Sequence, residues 1–492
     1  MRAGIRSRRS ALRSISLISL CLILLGSSAL RAQAQRDRAA PPRPHIVHIV
    51  ADDLGWKDVG FNGCTDIKTP NIDRLAAEGA VLSQFYTQSM CTPTRAAMLT
   101  GRYPYRYGLQ TAVIPSVSAY GLDTDEWLMP QALKEAGYTT AIIGKWHLGH
   151  ADKKWWPRQR GFDYQYGAMI GELDYFTHEE HGVLDWFRDN QPVVEEGYTT
   201  TLIGKDAARL IENHKQAVPL YLYLTFNAPH TPYQAPQEYL DRYPHIQEPT
   251  RRTYAAMISC LDDEIGRVVD ALERAGMRER TIIIFHSDNG GTRNAMFSGV
   301  MTDMSKIVLP CDNGPYREGK GTLFEGGSRV CALVNWPGKI ANGRVDGMIH
   351  AVDLFPTLAT LAGAPTTRSK PLDGINVWET LSRNAPSPRD EIVYNIEPFR
   401  AAIRQGDWKL IWRTTLPQSV DLYNLAEDPS ETNNLAPKHP DIVDRMKARI
   451  DELSRDAAKP LFLLDQFKVI QTNMKGEPVM PIDDEFGTGA VP

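Results

Sequence analysis

The sequence has little of several things that would settle its class at once. It has no surplus of basic charge: 55 Lys and Arg stand against 59 Asp and Glu over 492 residues, which argues against nucleic acid as the main partner. It has no internal repeat and no low-complexity tract, so a solenoid or a disordered chain is excluded. Its longest apolar run, SISLISLCLILLGSSAL at 14–30, falls short of the roughly 20 residues that a spanning helix needs. No Asn-x-Ser/Thr acceptor occurs, which leaves N-glycosylation without a site. Cysteine is scarce, six in all, and no other cysteine lies near Cys91 in the stretch SMCTPTRAAMLTG at 89–101.

What is present begins with an export signal over residues 1–34. Arg2, Arg6, Arg8, Arg9 and Arg13 lead into the apolar run, and AQA at 32–34 supplies a small-residue cleavage pattern. SRRSALR at 7–13 matches a twin-arginine signal only loosely, and Leu20 is too large for a lipoprotein signal before Cys21. The chain is therefore expected to be exported, periplasmic or secreted, with no stable membrane anchor. Removing the six arginines of this segment from 55 leaves 49 Lys and Arg against 59 acids, a net charge of −10. Five cysteines remain: Cys64, Cys91, Cys260, Cys311 and Cys331. An odd number in an exported chain means that at least one is unpaired or modified, and the pairing among the others stays open. Cys260 falls in a helical pattern, where it reads as a small buried hydrophobe.

From Pro44 to about Gly363, apolar β-branched runs alternate with helical patterns, which predicts an α/β domain with a largely parallel sheet over 42–365. Strands are expected at HIVHIVA (45–51), TTAIIG (139–144), LYLYLTF (220–226) and TIIIFHS (281–287). Helices are expected at NIDRLAAEGAVL (71–82) and DEWLMPQALKEAG (125–137), the latter ending on Gly137. GAPTTRSKPLDG (363–374) reads as a boundary, and 366–492 as a smaller α+β unit. There EIVYNI, AAIRQGDWKLIW and DLYNL suit an antiparallel sheet. DIVDRMKARIDELSRD places Ile442, Val443, Met446, Ile450 and Leu453 on one helical stripe to cover it.

In an open parallel sheet, ligands bind beyond the carboxyl ends of the strands. All four expected strands end in polar residues: Asp52 and Asp53, Lys145 and His147, His230, and Asp288 and Asn289. Asp52, Asp53, Asp288 and Asn289 offer only oxygen, which suits calcium, or alternatively magnesium, rather than zinc. Arg95, Lys145, His147, His230 and Lys320 add cationic or protonatable groups, so the expected substrate carries concentrated negative charge, a sulfate or phosphate ester. Cys91 precedes TPTRAAMLTG, which reads as a short helix with Pro93 in its first turn and Gly101 closing it. A helix N-terminus can lower a thiol's pKa, so a thiolate is an option there. Yet sulfur is a soft ligand beside a hard ion, and the mismatch suggests that Cys91 does not act as cysteine.

SMCTPTRAAMLTG, with its CxPxR core, and GYTTAIIGKWH (137–147) resemble the two signatures of the type I, formylglycine-dependent sulfatases. The resemblance runs from about Pro44 to DLYNLAEDPSETNNLA. ADDLGWKDVGFNG, LTGRYPYRYGLQ, GELDYFTHE and FEGGSR look most like the arylsulfatase B (N-acetylgalactosamine-4-sulfatase) branch. NAPHTP around His230 and residues 292–313 depart from that branch, and the absence of N-glycosylation acceptors fits a bacterial source.

The resemblance implies an alkaline-phosphatase-like sulfatase fold, with a large mostly parallel sheet flanked by helices and a smaller C-terminal antiparallel sheet. It implies that a maturation enzyme oxidises Cys91 to Cα-formylglycine, and that Asp52, Asp53, Asp288, Asn289 and modified Cys91 bind calcium. The hydrated aldehyde would then attack sulfur, passing its proton to Asp288. Lys320 and His230 would serve the departing alcohol, and His147 would take the proton that expels sulfate. Arg95 and Lys145 would orient the diol and the sulfate oxygens. The substrate implied is a sulfated saccharide such as N-acetylgalactosamine 4-sulfate in glycosaminoglycans. Trp155, Trp156, Tyr175, His178 and Arg188 are candidate sugar contacts, although residues of this kind are more often simply core or rim. Two other readings stay open: a phosphodiester or phosphonate hydrolase of the same superfamily, and an inactive glycan-binding homologue.

Overall fold

Every residue of the strand His45–Ala51 is buried, because this strand has a parallel neighbour on each side and a packed layer on each face. A computed structural model describes residues 43–293 and 308–474; the expected export signal and the end of the chain lie outside the described residues. In chain order the strands of the main sheet are β1 (His45–Ala51), β2 (Ala80–Leu82), β3 (Thr139–Gly144), β4 (Tyr164–Gly167), β5 (Phe187–Arg188), β6 (Gln191–Pro192), β7 (Leu220–Thr225), β8 (Thr281–Ser287), β9 (Ala332–Asn335) and β10 (Gly343–Val345). Their spatial order is β10-β2-β9-β8-β1-β7-β3-β4-β5-β6. The run β8-β1-β7-β3-β4 is parallel throughout, as the sequence leads one to expect, and β9 and β5 pair antiparallel at its two flanks.

Alternate residues of the central strands feed two cores. Val47, Ile49, Leu222, Leu224, Ile283 and Phe285 pack on one face with residues of α4 (Thr199–Glu212) and α5 (Pro249–Arg274). Ile46, Val50, Ile142, Tyr221, Tyr223, Ile282 and Ile284 pack on the other with α2 (Cys91–Thr100), α3 (Met129–Glu135) and α6 (Leu354–Ala362). Cys260 is buried in α5, as expected, and all five described cysteines are free thiols.

Two helices are shorter than the sequence pattern suggests. The first, α1, spans only Pro70–Ala77. At Gly79 a Cβ would lie 2.4 Å from Val334 O, so the backbone there approaches β9 closely and Ala80–Leu82 joins the sheet instead. The second, α3, starts at Met129 rather than Asp125, since Pro130 favours the first turn of a helix and not its interior.

Farther along, β11 (Glu391–Ile396), β12 (Arg400–Gln405), β13 (Trp408–Arg413) and β14 (Ser419–Asn424) form an antiparallel sheet in chain order. It is covered by α7 (Pro440–Ser454), whose Val443, Met446, Ile450 and Leu453 are buried as the stripe predicts, with Ile442 only partly buried at its edge.

Candidate active site

The parallel register brings the strand tips level. Val50 lies across from both Thr225 and His286, and Thr225 from Gly144, so whatever follows β1, β3, β7 and β8 emerges at one edge. Asp53 and His147 then take left-handed backbone conformations, φ 60° and 59°, uncommon for residues with a side chain. Asp53 N donates to Asp288 Oδ1 at 3.2 Å. Its carboxylate accepts from Asn289 Nδ2 at 2.7 Å and from Lys320 Nζ at 2.8 Å. Burial alone would raise the Asp53 carboxyl, but Lys320 and His230 beside it hold it well below the ordinary carboxylate range. Asp288 goes the other way, raised by burial and by Asp52 against the pull of Arg95.

Cys91 opens α2 and is buried with its Sγ 3.5 Å from Asp52 Oδ1. Burial, then Asp288 and Asp52, push its thiol well above the ordinary cysteine value. Burial and the two carboxylates thus oppose the thiolate that a helix N-terminus could have favoured. One turn on, Arg95 sends NH2 to Asp288 Oδ2 at 2.8 Å and lies 3.4 Å from Asp52 Oδ2, while NH1 donates to Lys145 O and Thr225 Oγ1, each at 3.1 Å. The guanidinium therefore ties together the tips of β1, β3, β7 and β8. Lys145 Nζ forms a short ion pair with Asp52 Oδ2.

A carbonyl oxygen can only accept, so the hydrogen bonds assign the histidine tautomers. His230 Nδ1 donates to Thr231 O at 2.7 Å, which leaves Nε2 to accept from Lys320 Nζ at 3.0 Å. Burial, then Lys320, pull His230 down to about 4. His147 Nε2 donates to Ile114 O at 3.1 Å, which leaves Nδ1 as a lone pair, buried and without a partner among the described residues. Burial, then Lys145 and Arg95, hold His147 well below its ordinary value. Its ring rests on Gly171, where a Cβ would come within 2.5 Å of His147 Cε1.

A cavity of about 520 Å³ opens onto Cys91, His147, His230 and Lys320, and is lined as well by Ile114, Gly171, Glu172, Glu179 and Glu180. Lys320 is 4% exposed. The five candidate sugar contacts do not line this cavity. Trp156 and Tyr175 are buried in the cores, His178 is buried against Trp186, Trp155 packs against Gly121 and Gly149, and Arg188 is held by Asp206 at 2.9 Å. Tyr175 instead anchors the NAPHTP segment, its hydroxyl donating to Asn227 O at 2.8 Å and His230 O at 2.9 Å. Ile114 and Glu180 were not singled out in the sequence, and Gly171 and Glu172 entered only as the start of GELDYFTHE, because nothing local marks a residue whose partner is more than 20 positions away.

Among the described residues, ligand atoms of Asp52, Asp53, Cys91 and His230 lie within 4.8 Å of one another, a cluster able to hold a metal ion. Asn289 sits beside it with its Oδ1 buried and unpartnered. Three carboxylates at the strand tips and an idle amide oxygen make a donor set suited to a hard divalent cation.

Comparison with known proteins agrees with this geometry. Residues 44–364 match the sulfatase family, and 318–456 match the C-terminal region of N-sulphoglucosamine sulphohydrolase. Mouse arylsulfatase J is 34% identical over 475 residues, covering 85% of this chain and 77% of its own length. Mouse N-acetylgalactosamine-6-sulfatase is 33% identical over 416 residues, with 80% and 76% coverage. The solved structure of Ps i-CgsB in complex with k-i-k-neocarrahexaose superposes with a TM-score of 0.78 at 33% identity, covering 89% of this chain and 98% of that one. These relatives support the family and the alkaline-phosphatase-like fold; they do not support the particular likeness to arylsulfatase B.

Proposed function

The chain belongs to the sulfatase family of sulfuric ester hydrolases, and from that premise we propose that it hydrolyses a sulfate ester of a saccharide of the glycosaminoglycan kind, using Cys91 after conversion to Cα-formylglycine. The observation that carries this reading is Cys91 at the head of α2 within CTPTR, its Sγ buried 3.5 Å from Asp52 Oδ1. Sulfur so placed is a poor nucleophile, whereas an aldehyde hydrate at the same position would supply oxygen.

Asp52, Asp53, Asp288, Asn289 and the converted Cys91 would hold calcium or magnesium, with His230 near enough to share in the cluster. That ion would act as a Lewis acid on a sulfate oxygen. The protein's own groups do the rest. Lys145 and Lys320 place ammonium charge beside Asp52 and Asp53, where they receive the oxygens of an incoming sulfate. Lys320 Nζ holds the proton at the leaving-group end and shares it with His230 Nε2, as their 3.0 Å contact provides. His147 offers Nδ1 as the proton acceptor, since Ile114 O retains the proton on Nε2. Arg95 keeps Asp52 and Asp288 in place.

N-acetylgalactosamine sulfates, 4- and 6-linked, are the saccharides to try first, and the first 34 residues support export to the periplasm or beyond. The maturation enzyme that reads CTPTR is the implied protein partner. Among the described residues no helix is long and apolar enough to cross a membrane. The test is turnover of p-nitrophenyl sulfate beside the corresponding phosphate monoester and diester, on protein whose Cys91 peptide has been weighed. Conversion makes that peptide about 18 Da lighter. The expected result is a converted peptide and preference for sulfate; a preference for phosphate esters, or sulfatase activity with an unconverted thiol, would overturn the reading.

A further inference from the structure

Sulfate recognition accounts for the cations of the cavity but not for its carboxylates. Glu172 and Glu180 line the same space as Cys91, His147 and Lys320. Glu180 lies on a two-residue strand that pairs antiparallel with Val183–Leu184, the turn between them passing through His181 at φ 51°. Its Oε2 is buried without a partner among the described residues, and burial pushes its carboxyl up to about 7. Glu172 acts on both His230 and Glu180 through its charge. Asp174 also faces the cavity, yet its oxygens are taken by Phe176 N and Thr177 N at 2.9 Å and by Gln234 Nε2 at 2.5 Å. A further unpartnered group lies on the same cavity: His147 is 4% exposed with Nδ1 idle.

The Glu180 carboxyl has a hydrogen bond from Ser116 but leaves Oε2 buried and unpaired; an unpaired buried oxygen is costly, and one that lines a cavity can be satisfied by what enters. Carboxyl groups accept hydrogen bonds from hydroxyls, whereas a second anion beside them is repelled. One molecule meets both demands if it offers a sulfate to Lys320 and His230 and hydroxyls to the two glutamates.

Resting on the sulfatase reading above, we propose that Glu172 and Glu180 are the sugar-recognition residues of this site: they bind hydroxyls of the ring that carries the scissile sulfate, and they select rings bearing one sulfate over rings bearing a second sulfate or a carboxylate.

The test uses the converted full-length enzyme and a panel of monosulfated hexoses and N-acetylhexosamines, each beside its disulfated counterpart. The quantity read is the ratio of kcat/KM between the two members of a pair, which does not depend on how much of a preparation is folded or converted. For its best monosulfated sugar the wild-type enzyme should favour the single sulfate by at least tenfold. In the Glu172→Gln and Glu180→Gln double variant that ratio should fall toward one, with a higher KM for the monosulfate. A wild-type preference for the disulfated sugar, or a ratio unchanged in the double variant, overturns the assignment. So does an enzyme that hydrolyses p-nitrophenyl sulfate and no sugar of the panel, while leaving the sulfatase reading in place. Loss of every sulfate ester as substrate would instead sink the sulfatase reading itself.

Discussion

Asn289 gives its amide N–H to Asp53 Oδ1 at 2.7 Å and keeps its carbonyl oxygen buried with no partner among the described residues. An unsatisfied buried acceptor costs about 1–3 kcal/mol; a bound cation relieves it.

Calcium or magnesium should accordingly raise the melting temperature of metal-stripped protein. Binding to the native state alone contributes about 2.7 kcal/mol at a hundred times Kd. The Asn289→Leu variant, which lacks the oxygen, should show a smaller rise in a calcium titration followed by calorimetry. A melting temperature indifferent to both ions would count against a cation at the strand tips.

Gly171→Ala should disturb His147 first, since the added Cβ would sit 2.5 Å from His147 Cε1. A displacement near 1 Å in a catalytic group can cost on the order of 100-fold. The expected outcome is a kcat lowered by about that factor with KM little changed, measured on p-nitrophenyl sulfate, and a Tm near that of the wild type. A variant with wild-type kcat would show that the ring has room to move.

Beneath the site, His48 and His286 share a buried contact of 2.9 Å between their Nε2 atoms. His286 Nδ1 donates to Ser287 O at 2.8 Å, so His48 Nε2 must be the donor to His286 Nε2; a second proton on His286 would break that contact, and one on His48 would sit on Nδ1, buried with no partner among the described residues to accept from it. Burial, then the neighbouring histidine, hold His48 well below its ordinary value, and burial brings His286 to about 4. The unfolded chain takes up protons near 6.5 while the native pair does not. Stability from this pair is therefore complete above pH 6.5 and is lost as pH falls from there toward 4. His48→Gln, which keeps a donor, should lose less stability than wild type between pH 7.5 and pH 5 in denaturant melts; an equal loss would refute the linkage.

Lys409 forms ion pairs with Glu325 Oε1 at 3.0 Å and Glu431 Oε1 at 2.7 Å, all three side chains fully buried. This joins β13 of the small sheet to the FEGGSR segment that follows Lys320. Lys409→Met would leave two carboxylates facing each other, and removing one partner of a buried pair costs about 3–5 kcal/mol. Chemical denaturation should register a loss of that order; a change under about 1 kcal/mol would mean that the carboxyls take up a proton and adapt.

Much of this was legible beforehand because it is local. The β-branched runs at 45–51, 139–144, 220–226 and 281–287 had to be buried strands, and the stripe on α7 had to face apolar surface. The candidate sugar contacts could equally be core or rim in the sequence, and packing decided for the core at two of them. Trp156 and Tyr175 are aromatic residues near a motif, and only packing distinguishes a core aromatic from a cavity wall. The helix expected through Ala80–Leu82 failed because pairing with β9 overrode its helical pattern.

By itself the sequence determined which polar residues stand at the ends of which strands, and the helix that carries Cys91, since each depends on neighbours a few positions apart. Only the tertiary structure decided which nitrogen of His147 is idle, that Arg95 clamps Asp52 to Asp288, and that Glu172 and Glu180 share a cavity with Lys320. Those relations join residues tens to hundreds of positions apart, and it is the register of the parallel strands that gathers the strand tips on which they depend.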